Sequence, residues 1–463
     1  MTRLAASSGT LRPLRLPLAI GSCWLALLAF AAPANAVAAG PSRSCPDVTF
    51  IGARGSGEPA DRATHGMGAS VSHMADRLDE ALGASGLTMS MLPVIYLALG
   101  VDVLKPTKAE IGLMVTGHSL EAAGLYYEHN LKRYIASINE GISQTVKEAS
   151  IAAADCPDTM LVMAGYSQGA MVVHQAELQL DDQRHAHVHD AIIGTLLLGD
   201  GDRVHDSRAS LVGSAPRTGE GVRVYLHGIR AHDVDEPWTT AEICNSQDIV
   251  CDFKLDHIRS TKRAAHASAV HTGYLAHDPA VLDQAVDWLA AKIMRTIGPW
   301  GLVGRLRLDT ATAGDVIAGM GSPERSESGN VDSGYPNFYA MGYDCGHGQG
   351  ASGLGGPTNF PCRTVFFINQ NTNRLAAFAT KSSRFIGPAG THVGESAAQA
   401  ERRLHVQGFS GCGQGIELGF HRNRAELIML AVGGTSQNGI LHGGRVTEFD
   451  LESNAHPVGL LFC

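Results

Sequence analysis

Residues 158–170 read DTMLVMAGYSQGA. Asp158 to Ala164 is a largely continuous apolar run, as expected of a central strand covered on both faces. It runs into Gly165, and small, helix-compatible residues follow Ser167. A strand, a strained serine and an immediate helix make a nucleophile elbow. The turn is so tight that side chains two positions before and two positions after the serine would collide. Gly165 and Gly169 fill those positions. A serine at a helix N-terminus also sits in a field that favours developing negative charge. The competing reading is an ordinary strand-to-helix turn.

Outward from this stretch the same pattern repeats. VTFIGARGSGEP (Val48 to Pro59) starts apolar and ends in glycines, and AIIGTLLLGD (Ala191 to Asp200) is a second apolar run ending in glycine. Helical patterns lie between the strands. Tyr134, Ile138, Ile142 and Val146 recur at spacings of four, and Gly169 to Leu178 is a second candidate. A third would be capped by Asp278, with Pro279 in its first turn and Val281, Leu282, Ala285, Val286, Leu289 and Ile293 as its apolar stripe. Strands alternating with helices predict a three-layer α/β domain over residues 42–297. Beyond it, residues 298–334 read as a linker and possible start of a second domain, including Gly298-Pro299-Trp300-Gly301 and the polar run Gly321 to Gly334. Residues 335–463 are rich in glycine, carry Cys345, Cys362, Cys412 and Cys463, and include strand-like pieces at Thr364 to Ile368 and Glu426 to Val432. They read as a small disulfide-containing α+β domain. Asp309 to Pro323 and Gly390 to Leu404 each place a turn before a short helical pattern, either a degenerate repeat or a chance likeness.

The first 36 residues carry Arg3, Arg12 and Arg15, an apolar run from Leu16 to Ala32, and Ala34-Asn35-Ala36. That order reads as a secretory signal peptide, with cleavage expected after Ala36; a lasting membrane anchor is the alternative. No later apolar stretch is long enough to span a bilayer. Cleavage removes Cys23 and leaves an even eight of the nine cysteines, which suits an oxidising compartment. It also removes three arginines, taking the net charge from −9 to about −12. That balance argues against nucleic acid as a partner.

Ser119, in GHSLE (Gly117 to Glu121), is a rival nucleophile after a possible strand at Ile111 to Val115, but Glu121 occupies the crowded second position. An unassisted serine attacks poorly, so a histidine must take its proton and an acid must orient that histidine, the acid coming first in the chain. CNSQDIVC (Cys244 to Cys251) holds Asp248 between two cysteines, and a bridge between them would limit the motion of its carboxylate. Alternatively the bridge staples a surface loop and Asp248 is incidental. Asp200, Asp202 and Asp233 are rival acids. Among His257, His266, His271 and His277, His271 lies in AVHTGYL, read as a small-residue turn seven residues before the last helix's cap; His266 is the nearest rival.

The chain resembles the cutinase family from about Cys45 to Ile293, on four separated pieces: CPDVTFIGARGSGEP, CPDTMLVMAGYSQGA, CNSQDIVC and HTGYL. The resemblance implies a three-layer α/β hydrolase sandwich with a central parallel sheet. It implies Ser167 as nucleophile, Asp248 as acid and His271 as base, with an oxyanion hole at the backbone amides of Ser56 and Gln168 and the Ser56 hydroxyl as an added donor. It further implies disulfides Cys45–Cys156 and Cys244–Cys251, and carboxylic esters as substrates: cutin-like polyester, short-chain esters or lipids. No metal or cofactor is called for. An acyltransferase or lipase acting on cell-envelope lipids would use the same triad. A catalytically silent protein, contacting cell wall through the C-terminal region, is the reading from another class. Two insertions depart from compact members, at Pro93 to Leu131 and in the 22 residues between Asp248 and His271.

Overall fold

The computed structural model describes residues 45–463 except 106–107, 117, 119–126, 158, 226–231, 235–238, 299–301, 305, 330–336, 347–361, 405–410, 413–414, 423–424, 438–439, 454 and 456–463. The signal-peptide reading, the rival Ser119 and Cys463 therefore lie outside the described residues.

Six strands build a wholly parallel sheet: β1 (Val48–Ala53), β2 (Met89–Pro93), β3 (Met160–Tyr166), β4 (Ile192–Leu198), β5 (Ser210–Val212) and β6 (Thr240–Ile243), in the order β2-β1-β3-β4-β6-β5. Side chains alternate across a strand, so each central strand feeds two cores. Val48 and Phe50 of β1, with Met160, Val162 and Ala164 of β3, enter one apolar cluster. Ile51 and Ala53, with Leu161 and Met163, enter the other. This is why the strand sequences are apolar throughout rather than alternating.

Helices cover both faces. On the first lie α1 (Ala69–Gly83) and a later helix ending at Ile293; on the second lies α3 (Lys132–Asp155), which the four-residue spacing anticipated. The insertion between them holds α2 (Lys108–Val115), which corrects the strand expected at Ile111 to Val115. The helix α4 (Gln168–Leu180) follows the elbow and packs close on α3. A Cβ on Gly141 would lie 2.7 Å from Val172 Cγ2. After β6 come α5 (Thr261–Thr272), α6 (Tyr274–His277) and α7 (Pro279–Ile293). The α7 stripe is buried as expected, but Asp278 makes no side-chain cap; its carboxylate accepts from Asn245 Nδ2 at 3.0 Å instead.

Beyond α7 a short antiparallel ribbon, β7 (Ile297–Gly298), β8 (Leu302–Val303) and β9 (Leu306–Arg307), leads to α8 (Ala313–Met320), whose Thr312 and Asp315 form a reciprocal capping box. Eight antiparallel strands follow: β10 (Arg325–Ser328), β11 (Phe338–Cys345), β12 (Cys362–Asn369), β13 (Arg374–Thr380), β14 (Gly411–Cys412), β15 (Gly415–Arg422), β16 (Ala425–Gln437) and β17 (Ile440–Ser453). The helix α9 (Ala397–Leu404) precedes β14. One sheet face is fastened by aromatic contacts: Phe366 and Phe378 centroids are 4.9 Å apart, as are Phe378 and Phe385. The architecture is the expected α/β sheet domain followed by a disulfide-clipped region; the small α+β domain expected there is built on an eight-stranded antiparallel sheet, which the sequence showed only as strand-like pieces. The bridge there joins Cys345 to Cys362, a pairing the sequence left open.

Candidate active site

The elbow is built as its glycines require. Ser167 has φ 55° and ψ −115°, a conformation unfavourable for a residue with a Cβ. Its amide donates to Leu198 O of the next strand at 2.8 Å, and its carbonyl accepts from Ala170 N and Met171 N, opening α4. A Cβ at Gly165 would lie 2.1 Å from Gly169 O, and one at Gly169 2.1 Å from Ala53 O. Both neighbours are backbone, so neither can step aside. Gly169→Ala is therefore expected to destabilise by about 3 kcal/mol and lower Tm by roughly 10 °C, measurable by calorimetry; an unchanged Tm would refute the packing argument.

The structure brings Ser167, His271 and Asp248 together. Ser167 Oγ lies 2.9 Å from His271 Nε2, and His271 Nδ1 lies 2.9 Å and 3.0 Å from the two Asp248 oxygens. Proton on Nδ1, donated to the carboxylate, leaves Nε2 to accept from the serine. His271 is not in a turn, as expected from its small neighbours, but in the last turn of α5. Tyr166, one residue before the serine, stacks on its ring at 5.2 Å and donates to its carbonyl at 2.9 Å. Behind the imidazole, a Cβ on Gly199 would come within 2.9 Å of Cε1; its φ of +61° also favours glycine.

Asp248 is fully buried, and the Cys244–Cys251 bridge closes the ring that holds it. Oδ1 accepts from Val250 N at 2.6 Å and Cys251 N at 3.1 Å, while Oδ2 accepts from the Tyr274 hydroxyl at 2.8 Å. Burial by itself would raise this carboxyl's pKa. The charge of His271 and the bonds from His271, Val250 and Tyr274 outweigh it and hold the group below the usual carboxylate range. The rival acids are engaged elsewhere: Asp200 with His174, Asp202 with Gln175 and Arg223, and Asp233 with Ser207 and Arg208. Of the rival histidines, His266 and His277 are exposed and His257 is half-buried.

Ser56 and Gln168 approach the site from the β1 loop and the start of α4. Tyr134 lies beside both: burial raises its phenol, and the neighbouring Ser56 and Gln168 side chains partly offset the rise. The Ser56 hydroxyl, expected as an added donor, instead donates to Leu99 O at 2.6 Å. The loop itself is strapped down. Glu58 accepts from Gly55 N at 2.6 Å and Ala69 N at 3.2 Å, and buried Arg54 donates to Glu58 O at 3.0 Å and to Tyr96 O. Burial raises the Glu58 pKa, opposed by those amides and by Arg54 and His271. The second predicted pair, Cys45 and Cys156, is joined and ties the start of β1 to the end of α3.

The sequence reading missed Tyr166, Gly199, Tyr274, Glu58 and Tyr134. The first four sit inside or beside quoted motifs, so adjacency was the available signal; Tyr134 had none beyond helical spacing.

Next to Gly199, a buried charge pair underlies the site. His174 Nδ1 lies 2.7 Å from Asp200 Oδ2. Burial lowers the imidazole pKa, but the charges and hydrogen bond of the neighbouring carboxylates win and push it up to about 10. A histidine raised above its unfolded value stabilises fully below that value, near pH 6.5, and loses the contribution as pH climbs toward 10. Asp200→Asn is thus expected to cost about 3 kcal/mol near pH 6 and to flatten the loss of stability on going alkaline, read from denaturant midpoints across that range.

A family model described as "Cutinase" matches residues 44–293. A cutinase of Fusarium solani subsp. cucurbitae is 30% identical over 161 residues, covering 35% of this chain and 54% of that protein. A cutinase of Botryotinia fuckeliana is 30% identical over 170 residues, 36% of this chain and 64% of its own length. The chain thus spans about half the length of the Fusarium relative. Among solved structures, a cutinase-like protein from Cryptococcus sp. is 20% identical with a TM-score of 0.32, over 53% of this chain and 98% of that one. The catalytic core of an acetyl xylan esterase from Trichoderma reesei is 18% identical with a TM-score of 0.32, over 52% and 99%. The family match covers more than half of the 463 residues and stops where α7 ends, so the chain belongs to the cutinase family.

Proposed function

We propose that this chain is a secreted serine esterase that cleaves carboxylic esters of apolar acyl groups through an acyl-enzyme. The supporting observation is the unbroken hydrogen-bonded path from Ser167 Oγ through His271 to Asp248. In this reading His271 Nε2 takes the serine proton as Oγ attacks the ester carbonyl. The backbone amides of Ser56 and Gln168 receive the developing oxyanion, each such donor contributing about 3 kcal/mol to the transition state. The imidazolium, balanced by the ionised Asp248, protonates the leaving alcohol, and water repeats the cycle to release the acid. The proton goes out and back through the same nitrogen.

An apolar acyl group fits the surface beside the site. Ile95, Leu97 and Val101 are 61%, 63% and 59% exposed on the segment whose Leu99 and Ala98 carbonyls bond Ser56 and Gly57. Leu255 and Ile258 are exposed on the insertion that leads into α5. The same rim favours lipid esters, including cell-envelope lipids, over small polar esters. Among the described residues no helix is long and apolar enough to cross a membrane, and the secreted location rests on residues 1–36. Residues 335–463 are proposed as a separate domain that meets cell wall or insoluble substrate.

A fluorophosphonate should label Ser167 in folded protein, located by peptide mass spectrometry. Rates on nitrophenyl esters of two to sixteen carbons should rise with chain length before solubility limits them. No labelling would defeat the enzyme reading, and a preference for acetate would defeat the apolar-acyl part alone.

A further inference from the structure

The last turn of α7 and the segment 383–392 flank an open-mouthed pocket of about 410 Å³, at which Arg295 and Arg384 are exposed. Trp288 and Lys292 line it from the helix and Arg295 from just past its end; Arg384, Ile386 and His392 line it from the other side. The two walls are stitched by backbone bonds, Ile386 N to Arg295 O at 3.0 Å and Ile297 N to Ile386 O at 2.7 Å. The family match ends at residue 293, so six of the nine lining residues come from sequence outside the family match.

Its charge is one-sided. Four of the side chains are basic and the described lining includes no carboxylate. Glu395 is buried nearby; its Oε1 accepts from the His392 amide at 2.7 Å and lies 3.9 Å from His392 Nδ1, so His392 already faces a carboxylate and the charge argument rests on Lys292, Arg295 and Arg384. Cations at a helix C-terminus complement the dipole, which accounts for Lys292 and Arg295 but not for Arg384 and His392, which belong to a different segment. Lys292 packs over the Trp288 ring at 4.6 Å. Burial, then the Arg295 charge, push its ammonium down to about 8. In a chain of net charge −9, converging cations with a depressed lysine mark a place where an anion would relieve repulsion.

We infer that this pocket binds a phosphate ester, its oxygens held by Arg295 and Arg384 with Lys292 as third cation, and its organic part lying against Trp288. Guanidinium forks match phosphate oxygens two at a time. The site is not the catalytic one. Asp278, at the other end of α7, bonds Asn245 in the Asp248 ring, and at 1.5 Å per residue Lys292 is roughly 20 Å further along the helix. It would hold a phosphorylated molecule or surface while the serine works elsewhere.

Titration calorimetry of the full chain with inorganic phosphate and with glycerol 3-phosphate, and sedimentation with phosphatidylglycerol against phosphatidylcholine vesicles, test this. Expected is saturable binding to at least one phosphate probe, weakened at least tenfold by Arg295→Gln with Arg384→Gln and also by Lys292→Gln, while nitrophenyl butyrate turnover stays unchanged as evidence of folding. Binding of the soluble esters identifies a free or polymer-borne phosphate; binding only to phosphatidylglycerol vesicles identifies a lipid headgroup. The inference is overturned if the wild-type chain binds none of the phosphate probes, or if the double variant binds them as the wild type does.

Discussion

Ser167→Ala is expected to lower kcat for nitrophenyl butyrate by on the order of 10⁶-fold while leaving the fold in place. Among the described residues the hydroxyl is bonded only to His271 Nε2, so its removal costs at most about 1 kcal/mol of stability. The backbone at residue 167 is held by Leu198 O and by the start of α4, neither of which needs the side chain. Removal of a member of a proton relay leaves the others without a task, so Ser167→Ala with His271→Ala should be no slower than either alone. Paired measurement of kcat and Tm separates catalytic loss from unfolding. A variant with undiminished turnover would end the esterase reading.

Asp248→Asn should cost on the order of 10⁴-fold in kcat, and the site gives the reason. Val250 N and Cys251 N both point at Oδ1, so the amide oxygen of an asparagine would take that side. Its NH₂ would then face His271 Nδ1, which must become an acceptor. The ring proton would move to Nε2, the nitrogen that has to receive the serine proton. Tyr274, which now donates to Oδ2 at 2.8 Å, would have to turn its hydroxyl. The defect is a tautomer, not a missing atom, so kcat should fall with little change in Tm. A variant that keeps the wild-type kcat would refute this account.

The fold was legible because its signals are local. Apolar runs ending in glycine at β1, β3 and β4, and a stripe from Val281 to Ile293, need only the rule that buried faces repeat with the period of their element. Where short segments were misread, the local signal was ambiguous. Ile111 to Val115 is apolar enough for a strand, but five residues without a clear period fit a helix equally. Asp278 has the chemistry of a cap and the position of one, yet the Asn245 amide competes for its carboxylate. The 170 residues after α7 repeat glycine more than any apolar period, and so their eight-stranded sheet was legible only as strand fragments.

By itself the sequence determined the elbow, because a serine turn crowded from both sides leaves only glycine at 165 and 169. It also offered a carboxylate in a small ring as one candidate acid, beside Asp200, Asp202 and Asp233, because two cysteines seven apart restrict what lies between them. The residues alone left four histidines open and the resemblance pointed to His271; only the tertiary structure shows that ring meeting Ser167, Tyr274 and two ring amides holding Asp248 charged, and Ser56 turning its hydroxyl to Leu99. Apart from the two ring amides, which lie two and three positions from Asp248, those contacts join residues 26 to 104 positions apart. Hydrogen bonds over such separations leave no periodic trace in the chain; they exist only once the parallel sheet has set its strand ends side by side.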